Sequence, residues 1–273
     1  MPLTVGHITY ANCAPFFHYL GESGFSGTIV KGVPAELNRL LSTGKLDICP
    51  SSSIEYAFNP SDYLLLPGHS ISSIGPVQSV LLFTDMPLSE LNEIPISITG
   101  ESATSVALLQ VLLQEFMNIS KVVCSKTDVP LERSQERSLP MLLIGDRALK
   151  ARKKLTGSCT IIDLGELWYH YTGLPFVFAL WIVHRQSLTT KSCEIRAFAN
   201  QLTTSREKAF LSLAEMAHVV SEREWMGEEG LIEYWRHVSY DLDPHHIEGL
   251  QCFYLLLEKY GLIDKVPEIT FFE

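Results

Sequence analysis

The sequence is poor in the features that usually announce a function. Basic residues are scarce: 21 Lys and Arg against 31 Asp and Glu leave a formal net charge of -10 and a pI near 5.4. A chain of that balance is repelled by the phosphates of duplex DNA and by an anionic bilayer, so neither nucleic acid nor a membrane is an expected partner. No run approaches the roughly 18 apolar residues that a membrane-spanning helix needs. The six cysteines (Cys13, Cys49, Cys124, Cys159, Cys193, Cys252) show no CxxC spacing and no nearby His pair. They are expected to be reduced, mostly buried thiols, and no metal or cofactor is expected. The opening residues MPLTVGHITYANCAPFFHYL lack Lys and Arg, and His7, Thr9, Asn12 and His18 interrupt any apolar core. A secretory signal is therefore not expected, and a cytoplasmic protein is. Also missing are a GxSxG elbow, a GxxxxGK loop followed by Ser or Thr, an HExxH pair and a GxGxxG turn after a strand. Their absence removes the simplest hydrolase, nucleotide-phosphate and zinc-protease readings.

What is present is a core-rich chain of 273 residues, 46% hydrophobic, long enough for one large domain or two lobes. Its acidity is lopsided. Residues 205–273 hold 14 acidic and 6 basic side chains, whereas the first 204 carry 17 against 15. A site for a small anion is expected in the neutral part. There, short apolar strands alternate with helices. Strands are expected at Thr4–Tyr10, Gly27–Lys31 and Leu46–Pro50, with helices opening at Pro15, Pro34 and Ile54. Further strands are expected at Ser79–Thr84, Ile94–Ile98, Leu139–Ile144, Cys159–Asp163 and Phe176–Val183, with a long helix over Ser102–Phe116. From Arg206 onward the pattern is helical. This order predicts an α/β protein of two lobes, the second inserted in the first: residues 1–84 with 184–273 form one, and 85–183 the other. The amphipathic stretch from Trp225 to Trp235 suits either an outer helix or a subunit contact, which leaves a homodimer open.

Small polar clusters at strand ends are where ligands of open α/β sheets sit. Asn12 follows the first strand, where an Asn often merely caps its own turn. Ser51, Ser52 and Ser53 precede a helix; one serine explains a cap, and three also offer hydroxyls and free N–H groups to an anion. Ser79 ends Gly75-Pro76-Val77-Gln78-Ser79, Thr104 and Ser105 open the long helix, and Gly145-Asp146 follows a strand, with Asp146 placed to cap the next helix. Asp163-Leu164-Gly165 leads to Trp168 and other aromatics, read as core and hinge packing. If one serine- or threonine-bearing helix start in each lobe faced a cleft, each would hold one carboxylate, the helix dipole adding about 0.3–1 kcal/mol. The residues themselves leave enzyme and binder undecided.

Taken in order, VGHITYANCAPFF, GVPAELNRLLSTGKLDICPSSSIEYA, SISSIGPVQSVLLFT, TSVALL, LLIGDRAL and DLGELWYHYTGLPFVFALW resemble the chorismate dehydratases of the futalosine route to menaquinone. The resemblance runs from about residue 5 to 185 and leaves the acidic tail unmatched. It implies a type II periplasmic-binding-protein-like fold and dehydration of chorismate, a dicarboxylate, to 3-(1-carboxyvinyloxy)benzoate. The family's implicated asparagine and serine fall on Asn12 and Ser79, as groups that orient the substrate and stabilise developing charge. Ser51, Ser52, Ser53, Thr104, Ser105, Gly145 and Asp146 are the expected substrate contacts. Two alternatives stand beside it. The sister enzyme of the same route, 1,4-dihydroxy-6-naphthoate synthase, carries a His-Glu pair where Gly145-Asp146 stands here. A non-catalytic small-anion-binding protein would normally be exported.

Overall fold

The computed structural model describes residues 2–98, 103–126, 139–154 and 159–273. Its strands are β1 (Thr4–Ile8), β2 (Thr28–Gly32), β3 (Ile48–Ser52), β4 (Tyr63–Ser73) and β5 (Val80–Thr84). They continue with β6 (Pro95–Ile98), β7 (Val123–Lys126), β8 (Met141–Ile144), β9 (Thr160–Asp163) and β10 (Phe176–His184). Among the described residues they form two sheets, ordered β2-β1-β3-β10-β4 and β7-β6-β8-β5-β9. One compact unit comprises Met1–Ile71, Ala179–Leu242 and Pro267–Glu273; the other comprises Ser72–Phe178 and Asp243–Val266.

These units differ from the lobe boundaries expected from the order of strands and helices. Residues 80–84 belong to the second sheet, because β5 pairs antiparallel with both β8 and β9. The acidic tail is divided as well: its last helix, Pro244–Lys259, lies in the second unit and packs on the helix Ala103–Met117. Net charge reports solvation, not which core a helix covers, so it gave no warning of this.

In the first unit, β1 runs parallel to β2 and β3, and β10 runs antiparallel to β3. β10 is buried along its whole length, as a strand covered on both faces should be. The helix Pro34–Ser42 starts on Pro34, buries Leu37 and Leu41, and ends before Gly44, which takes φ +67°. Phe16 lies edge-on to Trp181, Tyr240 and His69, with centroids 5.2, 5.3 and 5.8 Å away. β4 has no counterpart in the sequence reading. Its Pro67-Gly68 step imitates a turn, yet the strand continues through it, with Gly68 at φ +76° and buried residues on both sides.

In the second unit, β6 is parallel to β7 and β8. The helix Ala103–Met117 follows β6, and its burial is broad: Thr104, Ser105, Leu108, Leu109, Leu112 and Leu113 are all covered. Ser102, its expected start, lies outside the described residues. The aromatics after Asp163 are core. Trp168 and Phe253 pack edge-on to Phe176 at 5.2 and 4.8 Å, and the Trp168 indole N–H donates to the Pro175 carbonyl at 3.2 Å. Gly249 is required beside it, since a Cβ there would sit 2.1 Å from the Pro175 oxygen.

Candidate functional site

In the first unit the expected residues gather at the carboxyl ends of the parallel neighbours β1 and β3. Asn12 sits in the 3-10 turn Ala11–Cys13, four residues beyond Ile8, the last residue of β1. Its Oδ1 is buried and has no hydrogen-bond partner among the described residues. The turn is braced from far along the chain: the fully buried Trp235 donates its indole N–H to the Ala11 carbonyl at 2.8 Å. Trp235 is thus packed against its own chain, which accounts for its burial without a second copy. Ser51 is fully buried at the end of β3, and its Oγ likewise lacks a partner. Ser52 stands at the N-cap of the helix Ser53–Phe58 but makes no capping bond; its hydroxyl accepts from Asn38 Nδ2 at 2.9 Å instead. A side chain of the helix Pro34–Ser42 takes the place of the expected cap.

Burial shifts the ionisable groups nearby towards their neutral forms. Burial pushes the Cys49 thiol up to about 12, so it is no nucleophile at neutral pH. The Glu55 carboxyl is raised by burial against the hydrogen bonds of Tyr63 (2.9 Å) and Asn59 (3.3 Å). Beyond β1, a pocket of about 430 Å³ is lined by His7, Thr9, Tyr10, Phe17, His18 and Lys31, among others. His7 stacks on Phe17 at 3.8 Å, and burial, with Lys31 beside it, lowers its pKa to about 4.

In the second unit the expected residues also share one sheet edge. β5 begins at Val80 opposite Ile144, the last residue of β8, so Ser79 and Gly145 meet: the Gly145 N–H donates to the Ser79 carbonyl at 2.8 Å. Ser79 is buried, and among the described residues its Oγ makes only a long 3.4 Å contact to the Val77 carbonyl. Gly145 takes φ +56° as β8 turns into the helix Gly145–Lys154. Asp146 is therefore the second residue of that helix, not its cap as expected, because glycine lets the strand enter the helix one residue earlier. Thr104 and Ser105 are buried in the first turn of the helix that follows β6, the parallel neighbour of β8.

One residue was passed over in the sequence. Asp163 ends β9 on the same edge and is buried. Its Oδ1 accepts from Gly165 (2.9 Å) and Glu166 (3.2 Å), capping the helix Leu164–Thr172, and from the Val77 N–H (3.1 Å); its Oδ2 accepts from the Gln78 N–H (2.6 Å). Burial raises its pKa, although all four amides pull the other way. The pattern Asp-Leu-Gly at a strand end signals the cap; nothing local signals the loop. Among the described residues no group of three His, Cys, Asp or Glu is placed to hold a metal ion, and no helix is long and apolar enough to cross a membrane.

The fold is that of the periplasmic binding proteins. An alkanesulfonate-binding protein from Xanthomonas axonopodis pv. citri superposes with a TM-score of 0.71 at 16% identity, over 97% of this chain and 95% of that one. A protein from Archaeoglobus fulgidus gives 0.69 at 18% identity, over 96% and 98%. Within that fold the chain belongs to the menaquinone-biosynthesis family, whose description it matches over residues 3–259. It is similar to the chorismate dehydratase of Thermus thermophilus, 34% identical over 266 residues, covering 92% of this chain and 94% of the relative. The chorismate dehydratase of Campylobacter jejuni is 32% identical over 180 residues, 64% of each chain.

Proposed function

We propose that this chain dehydrates chorismate to 3-(1-carboxyvinyloxy)benzoate in menaquinone biosynthesis. The observation that carries the reading is its 34% identity, along nearly the whole of both chains, to a chorismate dehydratase. The site chemistry supports it. Asn12 offers a buried, unpartnered Oδ1, and Ser79 offers a buried hydroxyl with only a long internal contact. Both suit a reaction that needs orienting hydrogen bonds more than a strong base.

The reaction removes a ring proton and the neighbouring hydroxyl. The C–H electron pair becomes the new ring double bond, the C–O bond breaks, and the hydroxyl leaves as water with the abstracted proton balancing it. Aromatisation drives the step. We assign Asn12 and Ser79 the roles of holding the reacting ring and stabilising the departing hydroxyl. Ser51, Ser52, Ser53, Thr104, Ser105, Gly145 and Asp146 are assigned to the substrate's polar groups. A carboxylate of chorismate itself takes the proton, its proximity replacing a protein base. Such an enzyme works in the cytoplasm and needs no cofactor.

The test is to incubate the purified chain with chorismate and follow the product by mass and aromatic absorbance. Loss of one water with an aromatic spectrum is the expected result. Chorismate that stays unchanged yet raises the melting temperature would make the protein a binder. Turnover of a cyclic futalosine derivative in place of chorismate would make it the sister enzyme.

A further inference from the structure

The geometry points to Asp163 as the positioning residue for Ser79: its carboxylate clips the Gly75–Gln78 loop to the helix Leu164–Thr172 and thereby sets where the Ser79 hydroxyl stands. This inference rests on the role proposed above for Ser79.

The loop is an unfavourable piece of backbone. Gly75 takes φ +90°, which glycine tolerates, but Gln78 takes φ +66°, which a residue with a Cβ rarely adopts. Such a conformation persists only when its surroundings over-determine it. Here the constraint is visible. The Val77 and Gln78 amides, the two immediately before Ser79, both donate to Asp163, one to each oxygen, at 3.1 and 2.6 Å. On the far side of the same residue, Ser79 is held by its carbonyl, which accepts from Gly145 at 2.8 Å. The backbone is pinned on both sides while the Oγ makes only its 3.4 Å contact. That leaves the hydroxyl placed but available.

Gly165 supports the same clip from the helix. A Cβ there would lie 2.6 Å from Ser73 Oγ and 2.8 Å from the Gly75 carbonyl oxygen, so helix and loop are in direct apposition. Asp163 itself faces Leu81 across the β5–β9 ladder, two residues beyond Ser79. The carboxylate is chemically required. In Asp163→Asn, Oδ1 can still cap the helix and meet Val77, but the amide nitrogen would face the Gln78 N–H, donor against donor.

The experiment compares Asp163→Asn, Ser79→Ala and wild type in steady-state turnover of chorismate, with melting curves taken with and without chorismate. For Asp163→Asn the expected result is a kcat lower by roughly tenfold to a hundredfold, as a small displacement of an oriented group gives. KM should stay within about threefold, and chorismate should still raise the melting temperature, because the helix cap is kept. Gly165→Ala is the second variant and carries the test if Asp163→Asn does not fold. It should show the same split, a lower kcat at retained KM. Wild-type kcat in the folded variant while Ser79→Ala is inactive would overturn the positioning role and leave the role of Ser79 standing. A parallel collapse of melting temperature, binding and kcat in both variants would also overturn it, reducing Asp163 to a structural cap. Wild-type turnover by Ser79→Ala would instead remove the reading of Ser79 and this inference with it.

Discussion

The carboxylate of Asp163 and the amide of Gln78 are joined at 2.6 Å across 85 residues of sequence, one residue before Ser79. A buried acid that accepts from four backbone amides holds main chain in place. It is the contact that makes the loop before Ser79 more than a turn, and it frames what substitutions in this protein should do.

Ser79→Ala removes a hydroxyl with a long 3.4 Å contact, and Asn12→Ala removes an Oδ1 without a partner among the described residues. Stability should change by no more than about 1 kcal/mol. Loss of a hydrogen bond that strengthens in the transition state should lower kcat by roughly a hundredfold or more. Chemical denaturation and chorismate turnover on the same preparations check both halves.

Trp235→Phe keeps the ring volume of a buried anchor approximately but deletes the N–H that meets the Ala11 carbonyl at 2.8 Å. The Ala11 carbonyl keeps its bond from the Ala14 N–H, so the loss is one hydrogen bond, about 0.5–1.5 kcal/mol. Because Ala11 adjoins Asn12, kcat should fall as well, and Trp225→Phe, whose ring is only half-buried, should do neither. Denaturant midpoints and turnover of the two variants make the comparison.

Asp47 is the buried ion pair of the first unit. Its carboxylate meets Lys191 at 2.7 Å, Ser187 Oγ at 2.6 Å and the Thr4 N–H at 2.7 Å. Burial alone would raise its pKa, but Lys191, Ser187 and the Thr4 amide outweigh it and hold the carboxyl below 3.8. A folded-state value depressed in this way gives stability that is present above the unfolded pKa and is lost as pH falls through the folded one. Asp47→Asn should cost about 3 kcal/mol at pH 7, near the lower end for breaking a buried pair. Its stability should also fall less steeply than the wild type's below about pH 4. Urea titrations at pH 7 and at acid pH measure both.

His69 is buried, with Nε2 on the Thr203 hydroxyl at 2.9 Å and Nδ1 unpartnered. Burial lowers its pKa to about 4, with Arg206 adding to the effect and Asp241 opposing it. Between the unfolded value of 6.5 and about 4, only the unfolded chain binds the proton, so stability falls as pH drops through that window. The slope is at most about 1.4 kcal/mol per pH unit for this group. His69→Gln should be less stable at pH 7 but show a shallower decline towards pH 5. An imidazole signal for His69 that titrates near 6.5 in the folded protein would contradict this.

Much of the fold was legible because its strands are short apolar runs bounded by Gly and Pro. Thus β1, β3, β5, β8 and β10 stand within a residue or two of their expected places. β4 was not, since Pro67-Gly68 writes a turn signal into the middle of a continuous strand. The tail was expected in the first lobe because the chain was read as returning there after Phe176–Val183, whereas the helix Pro244–Lys259 buries Leu250, Phe253 and Leu257 in the second unit. Asn12 and Ser79 were singled out by resemblance; on local chemistry alone Asn12 read as a turn cap and Ser79 as strand polarity. Asp163 and Trp235 escaped because each acts on backbone 85 and 224 residues away, where no periodicity connects donor and acceptor.

The most direct measurement is a proton NMR time course of chorismate with the purified wild-type chain, run beside Ser79→Ala. The expected result is loss of the ring and carbinol signals of chorismate matched by aromatic signals of 3-(1-carboxyvinyloxy)benzoate, the enolpyruvyl protons persisting throughout, and little change in the variant. Chorismate signals that broaden on binding but do not convert would contradict the account.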